Sequence, residues 1–396
     1  MGKYNFDKVV DRRNTNCIKW DNLNISFPRA KEDAMPMWVA DMDFEVADPI
    51  VDAIHMTADR KIFGYSTRDT DRYFDAVTGW YKRRFNWEID KNSIMYSAGV
   101  VPAIAMLIRI LTDENDGVII QRPVYYPFTN KIKENNRKVI NNPLIYKDGK
   151  YEMDFEDLEE KAKDPLNKLM ILCSPHNPIG RVWTEEELKK VVDICMKNDV
   201  FIIADEIHND LIRKGYKHIN LQKLCPEYKD RIVTCLAPSK TFNLAGMQLS
   251  NIIINTPELR EKWNYEVQKS GARMSPNPFA IEAVIAAYNK SEDWLDELNE
   301  YLDGNAEYIK EFVAENLPKV KMINIEGTYL VWLDFNEYGI SADELERIML
   351  EEAGLIFDEG TMFGEEGSGF ERINIACSRE LIKECMNRIK NAFEGR

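Results

Sequence analysis

Several features that would place a chain in a familiar class are scarce in this sequence. Its seven cysteines (Cys17, Cys173, Cys195, Cys225, Cys235, Cys377 and Cys385) are odd in number and scattered, and no two form a C-x-x-C pair. That spacing speaks against a disulfide framework and fits reduced thiols serving as small core residues, so a cytoplasmic protein is expected. The four histidines (His55, His176, His208 and His218) show no H-E-x-x-H or Cys/His zinc spacing, so no metal site is expected. Long apolar runs are missing too: the longest, Ala98 to Leu111, contains Pro102 and Arg109 and reads as a buried helix rather than a membrane span. The opening residues, MGKYNFDKVVDRRNTN, are charged where an export signal would be apolar. Positive charge is in deficit, with 52 Lys and Arg against 67 Asp and Glu and a net charge of −15. Such a balance argues against nucleic acid or an anionic membrane as the main partner, though it leaves room for one small anion in a pocket.

What is present is an ordinary globular composition, 44% hydrophobic and 30% charged, over 396 residues. That is more chain than one core usually serves, so a large domain with a smaller one attached is expected. Short β-branched runs recur at Gly117–Gln121, Leu169–Cys173, Val200–Ala204, Ile232–Leu236 and Asn251–Asn255. Between the second and third lies a helical pattern, Glu185–Lys197, with Leu188, Val191, Val192 and Cys195 on one face and a Thr184/Glu187 capping box. Alternation of this kind implies an α/β fold with a mostly parallel, doubly wound sheet, and ligands outside the carboxyl ends of its strands. From about residue 289 the pattern changes. A long charged helix around Trp294–Asn316, the runs Tyr329–Phe335 and Leu355–Phe357, a Gly-rich loop at Gly360–Gly369 and a strand at Arg372–Cys377 predict a small α+β domain, joined by the N-terminal segment. The expected division is 1–48, 49–288 and 289–396.

The unusual residues fall where the strands end. Ser239-Lys240 follows Ile232–Leu236, and a lysine there reads either as a surface residue or as a Schiff-base lysine activated by desolvation, with Ser239 free to bind phosphate. Asp205 ends another run; it could cap the next helix or pair with a protonated pyridine nitrogen, with His208 in the same turn reaching a phenolic oxygen. Asn177, bracketed by Pro175 and Pro178, is held in a rigid loop that aims its amide, although Asn-Pro turns are common. Gly99, ahead of Val100, Val101 and Pro102, opens a helix whose free N–H groups favour a phosphate, as many helix starts would. Tyr125, in an aromatic cluster, is either core or a ring stacked on a planar cofactor. Taken together, the five loops offer a phosphate cradle, a stacking ring, a phenolate partner, a pyridinium partner and an imine-forming lysine, the parts of a pyridoxal 5′-phosphate site.

The whole chain resembles the fold type I pyridoxal-phosphate enzymes of the aspartate-aminotransferase superfamily. Pro36-Met37-Trp38-Val39-Ala40-Asp41-Met42-Asp43-Phe44, the run Pro175 to Trp183, and Asp205-Glu206-Ile207-His208 resemble the MalY/PatB group of cystathionine β-lyases, or carbon–sulfur lyases. The resemblance implies that Lys240 holds the cofactor, with Asp205 on the ring nitrogen, Asn177 on the phenolic oxygen and Tyr125 stacked on the ring. It also implies that Val100 and Val101 N–H groups and the Ser239 hydroxyl bind the phosphate, and that Arg372 clamps the substrate α-carboxylate beside Val39 and Ala40. Phe63-Gly64-Tyr65-Ser66 matches a segment that reaches across a homodimer, so Tyr65 would complete the partner subunit's phosphate site. Two positions depart from the aminotransferase pattern: Gln248 stands where an arginine often meets the phosphate, and His208 where a tyrosine is common. Both favour a lyase acting on a small amino-acid thioether, with an aminotransferase or a cofactor-holding regulator as the competing readings.

Overall fold

Seven short strands, all but the edge strand β3 built mainly of buried residues, form one sheet at the centre of the molecule: β1 (Ile94–Ser97), β2 (Gly117–Ile120), β3 (Lys138–Asn141), β4 (Asn167–Cys173), β5 (Phe201–Asp205), β6 (Ile232–Leu236) and β7 (Ser250–Ile253). The structure is a computed structural model and describes residues 2–272 and 275–396. The strand order is β1-β7-β6-β5-β4-β2-β3. All neighbours run parallel except β7, which is antiparallel to both β1 and β6. The inner strands are buried along nearly their whole length, which is why they read in the sequence as continuous apolar runs rather than alternating ones. β7 departs from the parallel arrangement expected for its run. The chain between β6 and β7 spends itself on a loop at the carboxyl end of β6 and carries no helix across the sheet, so it re-enters from that same end.

Eight helices matter for the site and its support: α1 (Asp48–Asp59), α2 (Asp71–Phe85), α3 (Val100–Leu111), α4 (Glu185–Lys197), α5 (Pro257–Lys269), α6 (Pro278–Lys290), α7 (Glu292–Asn316) and α8 (Arg379–Phe393). α3 packs Ile104, Leu107 and Ile108 against Ile120, Ile171 and Ile203 on one face of the sheet. On the opposite face, α4 buries the predicted Leu188, Val191, Val192 and Cys195 beside Met170, Ile202 and Ala204. Its Thr184/Glu187 capping box is formed as the sequence suggested. No helix among the described residues is long and apolar enough to cross a membrane.

A second, antiparallel sheet has the order β8-β9-β11-β10, where β8 is Lys321–Met322, β9 Leu330–Asp334, β10 Asp358–Glu359 and β11 Phe370–Asn374. Helices α7 and α8 pack beside it. The N-terminal Met35–Pro36 pairs in parallel with Leu355–Ile356, which ties the start of the chain to this unit. One residue of β11 runs against its surroundings: Glu371 is fully buried, and neither carboxyl oxygen has a hydrogen-bond partner among the described residues.

Candidate active site

The registers of β4, β5 and β6 bring Cys173, Asp205 and Cys235 to the same level, so the loops that follow these strands converge. Together with the start of α3 they enclose a cavity of about 190 Å³. Gly99, Val100 and Val101 face it from the first turn of α3, Tyr125 from the loop after β2, and Asn177 from the loop after β4. Asp205 and His208 enter from the end of β5, and Ser239 and Lys240 from a short helical turn, Pro238–Thr241, after β6. Ala40 reaches it from the N-terminal segment. Gln248 lines the cavity as well, with a left-handed backbone (φ 53°) that turns the chain toward β7.

Burial sets the electrostatics here. Removal from water, reinforced by the positive charge of Arg372, pulls the Lys240 amine down to about 8, although Asp41 and Asp205 act the other way. The same burial pushes Asp205 up to about 7, with a backbone N–H from Ile207 (3.2 Å) and the Lys240 charge opposing the rise. His208 is driven well below the ordinary histidine range by desolvation and by the neighbouring cations Lys240 and Arg372, so its ring is neutral. Its ring lies edge-on to Tyr329, with centroids 5.9 Å apart. Asn177 is fixed from three sides: its carbonyl accepts from the Tyr125 N–H (3.0 Å), its N–H meets the Cys173 sulfur (3.4 Å), and its side-chain oxygen accepts from Arg372 Nη1 (3.1 Å). No described residue accepts from its Nδ2, which leaves that group to donate into the cavity.

Arg372 adjoins the cavity through Asn177 instead of lining it. It sits on β11, pairs with the buried Asp358 across the strands, and donates from Nη2 to the Trp38 carbonyl (2.9 Å). That last contact belongs to a series. From Trp38 to Met42 each carbonyl accepts a side-chain hydrogen bond: Val39 and Asp41 from Asn374 Nδ2 (both 2.6 Å), Ala40 from Lys240 Nζ (2.6 Å) and from the Tyr329 hydroxyl (2.7 Å), and Met42 from Asn243 (3.0 Å). Behind this strap lies an ionic group in which buried Lys19 and half-buried Arg12 hold the buried Asp43, and Arg12 also holds Asp41. Tyr329, Asn374, Asn243 and Asp358 were not foreseen from the sequence. Asn243, three residues after the lysine, was the one that position could have flagged; the others lie far from the motifs they serve.

Tyr65 stands apart. It is fully exposed, beside exposed Ile62 and Phe63, and it does not line this cavity.

The residues present suit pyridoxal phosphate. A Cβ at Gly99 would meet only the Pro102 ring, at 3.4 Å, so the first turn of α3 leaves space for a group to approach the Val100 and Val101 N–H donors. Opposite this cradle stand a hydroxyl, a desolvated primary amine and a buried carboxyl, the donor set that a phosphate, an aldehyde and a basic ring nitrogen each require.

The chain matches the aminotransferase class I and II family over residues 32–389. It is 44% identical to cystathionine beta-lyase PatB of Bacillus subtilis, over 98% of this chain and 100% of that protein. It is also 31% identical to protein MalY of Escherichia coli, over 99% of each. Cystalysin from Treponema denticola, whose crystal structure contains a pyridoxal 5′-phosphate cofactor, superposes with a TM-score of 0.95 at 39% identity, over 99% of each chain. Similarity at this level over the full chain, together with the loops that meet at Lys240, leaves one family open: the chain belongs to the aminotransferase class I and II family, in the branch of PatB and MalY.

Proposed function

We propose that the protein is a pyridoxal-phosphate-dependent carbon–sulfur β-lyase. It would convert L-cystathionine and related L-cysteine thioethers to pyruvate, ammonia and a thiol. One observation carries the reading: a desolvated lysine amine, a buried carboxyl and an aimed amide face a single cavity, with a buried arginine beside it. When bound, the cofactor supplies an electron sink for the charge left at the substrate Cα. Lys240, with its amine pulled down to about 8, is a competent base for the Cα proton near neutral pH. Asp205 would hold the cofactor's ring nitrogen and favour its protonated form. Arg372 and Asn177 would orient the α-carboxylate, with the half-buried strap forming the wall on that side. A thiolate then leaves from Cβ, and the three-carbon remnant is hydrolysed to pyruvate and ammonia.

The roles of Val100, Val101, Ser239, His208 and Tyr125 as cofactor contacts belong to this proposal and rest on their place around the cavity. So does a homodimer in which Tyr65 reaches the partner subunit's phosphate site, supported by the exposed apolar run that carries it. Six of the seven thiols are buried and all are free, which supports a reducing, cytoplasmic setting. The division into 1–48, 49–288 and 289–396 belongs to the proposal too; the pairing of Met35–Pro36 with Leu355–Ile356 supports the joining of the N-terminal segment to the small domain.

The deciding experiment is release of pyruvate and homocysteine from L-cystathionine by purified protein with no added keto acid. Turnover only when a keto acid is supplied would make it an aminotransferase. Lys240→Ala should abolish both product release and the visible absorbance of the lysine-bound cofactor.

A further inference from the structure

We propose that the Tyr329 hydroxyl is a positioning residue for the Lys240 base: by sharing the Ala40 carbonyl with the amine, it weakens that carbonyl's hold on the ammonium and keeps the amine free to act. The inference rests on the reading of Lys240 as the base.

The geometry is specific. Lys240 Nζ donates to the Ala40 oxygen at 2.6 Å and Tyr329 Oη donates to the same oxygen at 2.7 Å. No other described residue accepts from Nζ. A carbonyl oxygen has two lone pairs, and both are used here, so each donor meets an acceptor already partly satisfied. Were Tyr329 absent, the oxygen would bind a single donor, and that donor is the charged one, whose hydrogen bond is the stronger. The ammonium would then be favoured over the free amine.

Two features make Tyr329 suited to this task. It is fully buried and its phenol is pushed far above the usual range by desolvation, with Asp41 adding to the rise and Arg372 opposing it. It therefore stays a neutral donor across any working pH. The strap also holds the Ala40 carbonyl without it, because Trp38, Val39, Asp41 and Met42 are each fixed by Arg372, Asn374 or Asn243. Loss of the hydroxyl should subtract one donor and leave the acceptor where it is.

The charges around Lys240 are independent of Tyr329. Arg372 faces it from β11, Asp41 from the strap and Asp205 from β5, while His208 from the following turn is neutral. Tyr329→Phe changes none of them. Nor does Tyr329 line the cavity, so it acts through Ala40 and not on the substrate.

The test compares wild type with Tyr329→Phe in two forms of the protein. With the cofactor removed, the rate at which acetic anhydride modifies Lys240 is followed against pH by peptide mass spectrometry. The midpoint should rise by about half to one pH unit in the variant. With the cofactor bound, the acid limb of kcat should move up by the same amount, giving a ~3- to 10-fold loss at pH 7 that recovers by about pH 9, with KM changed less than twofold. A purely structural role would lower thermal stability and leave the midpoint alone. An unchanged or lowered midpoint overturns the proposal, whatever the activity. Since the labelling needs no substrate, it decides the role of Tyr329 even if wild type releases no pyruvate, a result that would count against the lyase reading alone.

Discussion

Lys240 and Asp205 are shifted in opposite directions by one cause. Burial penalises charge, which lowers an amine and raises a carboxyl, and each partly offsets the other's shift. In cofactor-free protein, Lys240 should therefore react with amine reagents with a midpoint near about 8, against 10.5 for an ordinary lysine. Asp205→Asn removes a charge that raises the amine, so the midpoint should fall further. In the same variant kcat should drop by ~100-fold or more, because in the proposed site the ring nitrogen would lose its ionic partner. Glu371 poses a different residue-scale question. Burial and the neighbouring carboxyls of Glu359 and Asp358 raise it well above the usual range, so the native state holds a proton that the unfolded chain releases. Stability should decline as pH climbs above the unfolded value of 4.5, by up to about 1.4 kcal/mol per pH unit, until the raised value is passed. Glu371→Gln should flatten that slope in urea unfolding measured at pH 6, 7 and 8; an unaltered slope would assign it to other groups.

Among elements, the strap at Trp38–Met42 has no regular secondary structure and depends on side chains for its shape. Asn243 alone satisfies the Met42 N–H (3.0 Å) and accepts no help in holding the carbonyl of Phe44 (3.2 Å) among the side chains described. Asn243→Ala should lower unfolding free energy by ~2 kcal/mol and raise KM more than it lowers kcat, since it loosens the wall beside the proposed site for the substrate carboxylate. The sequence made some elements plain and hid others. α4 was legible because apolar spacing and its capping box agree, and β4, β5 and β6 because strands buried on both faces read as apolar runs. β3 was not: its burial pattern is only partial and it sits at the sheet edge. The direction of β7 depends on how the preceding loop turns, and its apolar residues would look the same either way. Site residues on βα loops follow a strand and could be found from it. Tyr329 meets a residue 289 positions earlier and Asn374 one 335 positions earlier, and no local pattern records such a meeting.

On the scale of the whole molecule, the exposed run at Ile62–Tyr65 and the cavity lie apart within one chain, and the proposed dimer brings them together. Tyr65→Phe should then weaken cofactor binding about tenfold, seen as a higher phosphate-analogue or cofactor concentration at half saturation, without disturbing the monomer fold. If dilution to monomer and this substitution both leave binding untouched, Tyr65 has no part in the site. The acidic surface is no obstacle to holding one phosphate, because oriented N–H groups at the start of α3 and the Ser239 hydroxyl after β6 act at short range and the bulk charge is screened.

The pairing of Met35–Pro36 with Leu355–Ile356, and of the strap with Tyr329, Arg372 and Asn374, also governs when the site can exist. During synthesis the strap leaves the ribosome early, yet its partners follow only after roughly half a minute at ~10 residues per second. Until then Lys240 can emerge and its sheet can form, but the wall that shields its amine is missing. A nascent or C-terminally clipped chain would therefore leave the lysine in water and without its arginine, its amine back toward the ordinary 10.5 and protonated, and activity is withheld until the last strand of the small sheet has been made.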